Sequence, residues 1–158
     1  MGFITARFKE WIITVLKIKK LKDGAVIPKR ATEESAGLDL SALLENPVTI
    51  NPHEIVKIPT GIAIELEKGY AGLIYPRSGL STKHGISLAN CVGVVDSDYR
   101  GEVLVAVINH SETPFTINTG ERIAQLVISP VILPEIEVTN NLNDTERGVG
   151  GFGSTGIN

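Results

Sequence analysis

Short β-branched runs closed by turn residues set the pattern of this chain. Apolar segments recur at Ile12–Leu21, Val48–Ile50, Ile55–Ile58, Ile62–Leu66, Ala71–Tyr75, Gly93–Val95, Glu102–Asn109, Pro114–Ile117, Ile123–Ser129 and Glu135–Val138. Breakers stand between them, among them Lys22-Asp23-Gly24, Asn51-Pro52-His53, Glu67-Lys68-Gly69 and Asn118-Thr119-Gly120. Many short strands at close spacing with turn chemistry between them predict an all-β fold: a β-sandwich, jelly roll or barrel. No stretch of roughly a dozen residues holds a helical apolar period. At most one short helix is expected, at about residues 78–83, directly after Pro76.

Two runs are apolar on both faces: Val103–Ile108, and Ile123–Ala124 with Leu126–Ile128. A strand on the surface of a sandwich should show one wet face. A doubly apolar strand has to be covered twice, and a symmetric oligomer is the expected second cover.

With 158 residues, the chain has the length of one domain. It is 42% apolar and 21% charged, as ordinary globular domains are. Fifteen basic against 18 acidic residues leave a net charge of −3, which argues against general binding to nucleic acid. An anion recognised by this chain must be small and locally clamped. The single cysteine, Cys91, excludes an internal disulfide and fits a reducing, cytoplasmic compartment. Charged residues interrupt the apolar start of the chain, so residues 1–11 read as an extension with neither signal peptide nor membrane span. The expected organisation is that extension, a β domain over 12–140, and a flexible arm over 141–158.

Five segments carry polar residues that a sandwich core does not need. In Ala36–Ala42, Asp39 sits between two leucines, a costly place for a carboxylate without a partner. In Tyr75–Ser81, Arg77, Ser78 and Gly79 follow a strand and a proline and open a helical turn, combining a guanidinium, a hydroxyl and free N–H groups for an anion. In Asn90–Gly101, two valines lead to Asp96, with Tyr99 three residues on. This segment reads as a hairpin whose tip holds a positioned carboxylate over an aromatic floor, and one carboxylate can serve as general base toward water. In Gly120–Leu126, Gln125 interrupts an apolar strand and needs a partner if buried.

The fifth segment is the tail, Arg147–Gly156, with five glycines around Phe152, the hydroxyls of Ser154 and Thr155, and Arg147. Such a segment cannot pack a core, yet it can lie along a phosphate chain, its N–H groups and guanidinium donating while the ring stacks. The glycine spacing at 148, 150 and 153 matches a dinucleotide fingerprint, but no βαβ unit surrounds it. His53, His84, His110 and Cys91 are scattered without metal-ligand spacing, and no Gly-x-Ser-x-Gly elbow is present. What remains is anion clamps, a carboxylate and a stacking ring, which points to Mg2+-assisted attack of water on a phosphate.

These five segments, in this order and spacing, resemble the motifs of the trimeric dUTP pyrophosphatases (dUTPases), over about Val15 to Gly156. The resemblance implies a β jelly roll, a homotrimer with sites shared between subunits, and hydrolysis of dUTP to dUMP and pyrophosphate. That activity would keep uracil out of DNA and supply dUMP for thymidylate synthesis. It also implies Mg2+ held by the triphosphate and water, with no direct protein ligand and Asp39 acting through metal-bound water or as a support. By the same resemblance, Asp96 would orient and deprotonate the attacking water. Tyr99 would lie beneath the deoxyribose and exclude a 2′-hydroxyl, while Asn90 and the backbone at Gly93 would read uracil. Arg77, Ser78, Gly79 and Gln125 would hold the phosphates. Arg147, Ser154 and Thr155 would close over the γ-phosphate as Phe152 covers the base. No nucleic acid or membrane partner is expected.

Two rival readings share the scaffold. A dCTP deaminase would need a glutamate on the strand after Asp96, where this chain has Ala106. A non-catalytic nucleotide-binding module would be expected to have lost at least one of Asp96, Tyr99 or the phosphate clamps.

Overall fold

The computed structural model describes residues 15–151. Phe152, Ser154 and Thr155, with residues 1–14, lie outside the described residues. Within the described span the chain forms β1 (Lys17–Lys20), β2 (Leu38–Ser41), β3 (Val48–Ile50), β4 (Ile55–Pro59), β5 (Ile62–Glu65), β6 (Tyr70–Pro76), α1 (Ser78–His84), β7 (Ile86–Leu88), β8 (Gly93–Val95), β9 (Leu104–Asn109), β10 (Phe115–Ile117) and β11 (Arg122–Pro130). The fold is an all-β, jelly-roll-like sandwich with one short helix, as the spacing of breakers predicts. The helix runs one residue beyond its expected end and stops at Gly85, whose left-handed backbone (φ 67°) lets its N–H close on the carbonyl of Ser81.

One sheet holds four strands in the order β2-β11-β6-β8, and the other holds three, β4-β9-β7. The pairs β1-β5 and β3-β10 complete the described ladders. All are antiparallel, and among the described residues none joins strands adjacent in sequence. The expected hairpin around Asp96 is therefore corrected: β8 pairs with β6, whereas β9 pairs with β4 and β7. Residues 96–103 instead cross from one sheet to the other. Alternation located the strands but carries no information about partners.

The core lies between the sheets. Leu40, Ile74, Val95, Ala124 and Leu126 come from one, and Ile58, Ile86, Leu88, Val105 and Val107 from the other. Every buried polar side-chain atom among the described residues is hydrogen-bonded. Asn109, fully buried, donates to the carbonyls of Ile50 and Thr113 and accepts from the Ser111 N–H and hydroxyl.

The doubly apolar strand β9 has one buried face and one half-open face. Val105 and Val107 point inward, while Leu104 is 46% exposed and Ile55, on β4 beside Ile108, is 57% exposed. The strand expected at Glu135–Val138 is absent. After β11, residues 131–139 run without a ladder, and Ile132, Ile136 and Val138 are all more than 90% exposed. A strand needs an edge to pair with, and Pro134 removes one of the donors. No helix of the described residues is long and apolar enough to cross a membrane.

Candidate active site

The four-stranded sheet brings together three segments that are distant in sequence. Asp39 on β2 faces Gln125 on β11, which in turn faces Tyr75 on β6, one residue before Pro76. Gln125 donates from Nε2 to the Pro76 carbonyl at 3.0 Å. Its side chain lies across Gly37, where a Cβ would come within 2.6 Å of Oε1. The amide is thus held between the segment leading into β2 and the end of β6.

Asp39 solves its desolvation problem with two guanidinium groups. Arg77 Nε lies 3.1 Å from Oδ1, and Arg122 Nη1 donates to Oδ2 at 3.0 Å. The carboxylate is 19% exposed, so both pairs are partly shielded from solvent. Arg77 also donates from Nη1 to the Arg122 carbonyl at 3.3 Å. The sequence pattern does not single out Arg122 as a site residue. In a regular strand, residues 122 and 125 point to opposite faces. A bulge between Arg122 and Ala124 shifts the register by one and places Arg122 opposite Ser41, on the face that carries Asp39. The only sequence-level trace was an arginine two residues after the turn glycine Gly120.

Asp39, Arg77, Ser78, Gly79 and Gln125 line a single cleft of about 400 Å³, together with Lys83 and His84 from the last turn of α1. Its chemistry suits an anion: cations, a hydroxyl and a glycine backbone, with one carboxylate already matched by two arginines.

A second cleft, of about 220 Å³, is lined by Asn90, Gly93, Asp96 and Tyr99 together with Ile74, Glu102 and Leu104. Gly93 on β8 faces Ile74 on β6, and a Cβ at Gly93 would approach Ile74 Cβ to 3.2 Å and Asn90 Nδ2 to 3.5 Å. The bare backbone of Gly93 therefore lets β8 pack closely against the Ile74 side chain, with the Asn90 amide beside it at the cleft wall. Asp96 follows β8 directly and is exposed; its carbonyl accepts from the Tyr99 N–H at 3.2 Å, forming the turn that carries the ring. The Tyr99 hydroxyl donates to the Glu102 carbonyl at 3.0 Å.

The two clefts have no lining residue in common. One holds the residues expected to contact base and sugar, the other those expected to contact phosphates. Arg147 belongs to neither and lies in the exposed segment after β11. Among the described residues no cluster of three His, Cys, Asp or Glu side chains could hold a metal ion.

Comparison with known proteins meets this geometry. The dUTPase family model matches residues 23–156. The deoxyuridine 5′-triphosphate nucleotidohydrolase of Desulfitobacterium hafniense (strain DSM 10664 / DCB-2) is 54% identical over 132 residues, 83% of this chain and 87% of that protein. The protein of the same name from Hahella chejuensis (strain KCTC 2396) is 50% identical over 149 residues, covering 94% and 98%. Among solved structures, the Staphylococcus bacteriophage 80alpha dUTPase with dUpNHpp superposes with a TM-score of 0.83 at 30% identity, covering 90% of this chain and 99% of that one. A mutant dUTPase from phage phi11 of S. aureus, described with a structural Mg(II) ion, superposes with a TM-score of 0.75 at 25% identity, covering 82% and 99%. The strands, the five segments and these likenesses agree: the chain belongs to the dUTPase family.

Proposed function

We infer that this protein hydrolyses dUTP to dUMP and pyrophosphate, with water attacking the α-phosphate. One observation supports this most directly. An anion cleft built on Arg77, Ser78, Gly79 and Gln125 accompanies a separate small cleft in which Asp96 stands beside Tyr99. Each suits half of a deoxynucleoside triphosphate.

In this reading Asp96 orients a water and takes its proton as a general base. Tyr99 lies under the deoxyribose, and Asn90 with the backbone at Gly93 reads the uracil edge. Arg77, Ser78, Gly79 and Gln125 hold the phosphates. The paired arginines shape the role of Asp39. Its carboxylate fixes the direction of Arg77 and Arg122, so it acts chiefly as a positioning residue for the clamp. Mg2+ fits as a partner of the triphosphate, where it would neutralise phosphate charge; Asp39, on the cleft wall, is the carboxylate that its water shell would meet. Arg147, Ser154, Thr155 and Phe152 close over the substrate and exclude water during reaction.

The separation of the clefts, the half-open apolar face of β9 and the unpaired segment after β11 together favour a homotrimer with shared sites. Exposed Ile132, Ile136 and Val138 would be covered by a neighbouring copy. The free Cys91 fits a reducing, cytoplasmic setting. Deamination of dCTP is disfavoured. Ala106 offers no acid on β9, and the carboxylate of Glu102 in the nucleoside cleft is engaged by the Gly61 N–H at 2.7 Å. Pyrophosphate release measured with dUTP, UTP, dTTP and dCTP tests the proposal: dUTP should be strongly preferred. Ammonia release from dCTP would overturn it.

A further inference from the structure

The ring of Tyr99 is exposed at the surface, yet the backbone around it is unusually constrained. A Cβ on Gly101 would lie 2.5 Å from Cζ and 3.0 Å from Cε2 of Tyr99, and closer still to the hydroxyl. The ring therefore rests on the bare backbone of residue 101. Its hydroxyl is tied to the Glu102 carbonyl. The Glu102 carboxylate accepts the Gly61 N–H at 2.7 Å. The next residue is bound to the same turn from both sides: the Val103 N–H donates to the Ile62 carbonyl at 2.8 Å, and the buried Thr60 hydroxyl donates to the Val103 carbonyl at 2.6 Å. Gly61 itself has a left-handed backbone (φ 69°), and a side chain there would run into Leu43. An exposed aromatic ring is thus fastened, through two residues, to the turn between β4 and β5 in the body of the protein.

We infer that Gly101 and Glu102 are specificity-determining positioning residues: together they set the height of the Tyr99 ring, and that height decides whether a 2′-hydroxyl is admitted. The inference rests on the proposed reading of Tyr99 as the floor under the sugar. A loosely held ring could drop and let a ribose in, because an exposed side chain gives way at little cost. Gly101 sets the lower limit of the ring, since only a residue without a side chain allows it to lie so close. Glu102 sets its lateral position through the carbonyl, and its carboxylate keeps that carbonyl in place. Neither residue touches the reacting atoms.

The test compares kcat/KM for UTP and dUTP in the full-length protein and in Gly101→Ala, Glu102→Ala, Glu102→Gln and Tyr99→Ala. Gly101→Ala should change the UTP-to-dUTP ratio roughly tenfold or more, because displacement of a positioning group by about an ångström has effects of that order or larger. Glu102→Ala should shift the ratio in the direction of ribose acceptance by a smaller factor. Glu102→Gln, which keeps an acceptor for the Gly61 N–H, should restore it. A merely structural role would lower both substrates together and leave the ratio unmoved. Gly101→Ala is expected to fold, since what yields is the far end of an exposed side chain. If it does not fold, Glu102→Ala against Glu102→Gln carries the same comparison. Tyr99→Ala separates the two levels. If it relaxes the ratio while the Gly101 and Glu102 variants stay at the parental value, the positioning role is overturned and the sugar-floor reading stands. If Tyr99→Ala leaves the ratio unchanged, both fall.

Discussion

Asp96 lies just past the end of β8 and Asp39 within β2, and their surroundings divide their work. Asp96 is exposed and makes no side-chain hydrogen bond among the described residues, so its carboxylate is available to a water. Asp96→Asn should keep binding of a non-hydrolysable dUTP analogue and lose at least roughly a hundredfold in turnover, the scale of a missing general base. Titration calorimetry beside single-turnover kinetics would check this, and undiminished turnover would remove the base assignment. Asp39 is matched by two arginines. Asp39→Ala should cost roughly 1–3 kcal/mol of stability, because the carboxylate is partly shielded and its loss leaves Arg77 and Arg122 side by side without a counter-charge. Its main effect should be a raised KM for dUTP, as Arg77 loses its fixed direction; a changed kcat with KM intact would instead place Asp39 in the chemical step. The anomaly of Asp39 was legible in the sequence as an acid between leucines. Its partners were not, because pairing depends on sheet register, and a one-residue bulge turns Arg122 onto the right face.

At the level of elements, alternation and turn residues located most strands and the helix, while pairing partners and the three-residue β7 stayed hidden. A segment that short leaves no period to detect, and ladders between distant strands leave no local mark. The extra strand expected at Glu135–Val138 shows the converse. Its pattern is strand-like, but among the described residues it pairs with no other strand. The tail should behave as an accessory to catalysis and not to folding. Deleting residues 147–158 should leave the melting temperature within a few degrees and strongly reduce turnover; a large fall in melting temperature would make the tail structural. The exposed edge strand β1 is held to β5 partly by Lys17 Nζ and Glu65 Oε1 at 2.7 Å. The ammonium holds the Glu65 carboxyl below its ordinary range. This contribution is present above the unfolded carboxylate pKa and is lost as pH falls through the lowered folded value. Protection factors of the β1 amides, taken relative to the intrinsic exchange rate at each pH, should therefore fall selectively and modestly on acidification, since the pair is solvent-exposed; unchanged protection would show that the backbone ladder alone holds the strand.

For the whole molecule, the separation of the two clefts gives the most demanding prediction. If one subunit supplies the phosphate cleft and a neighbour the nucleoside cleft, then Asp96→Asn and Arg77→Ala chains are each inactive alone and complement each other. Co-refolded in equal amounts, they should regain activity at roughly a quarter of the sites, because the interface is heterologous and subunits mix at random. No recovery after mixing would mean that each chain carries its own complete site.

The order of strands also bears on how the chain is made. β11 is flanked by β2 on one side and β6 on the other, so it is the central partner on which the four-stranded sheet closes. A ribosome releases Arg122–Pro130 after every other described strand, and until then β2 waits without its neighbour. The nascent polypeptide must carry that open sheet until those residues emerge. A message truncated before codon 122 would therefore yield an aggregation-prone product in place of a smaller folded one.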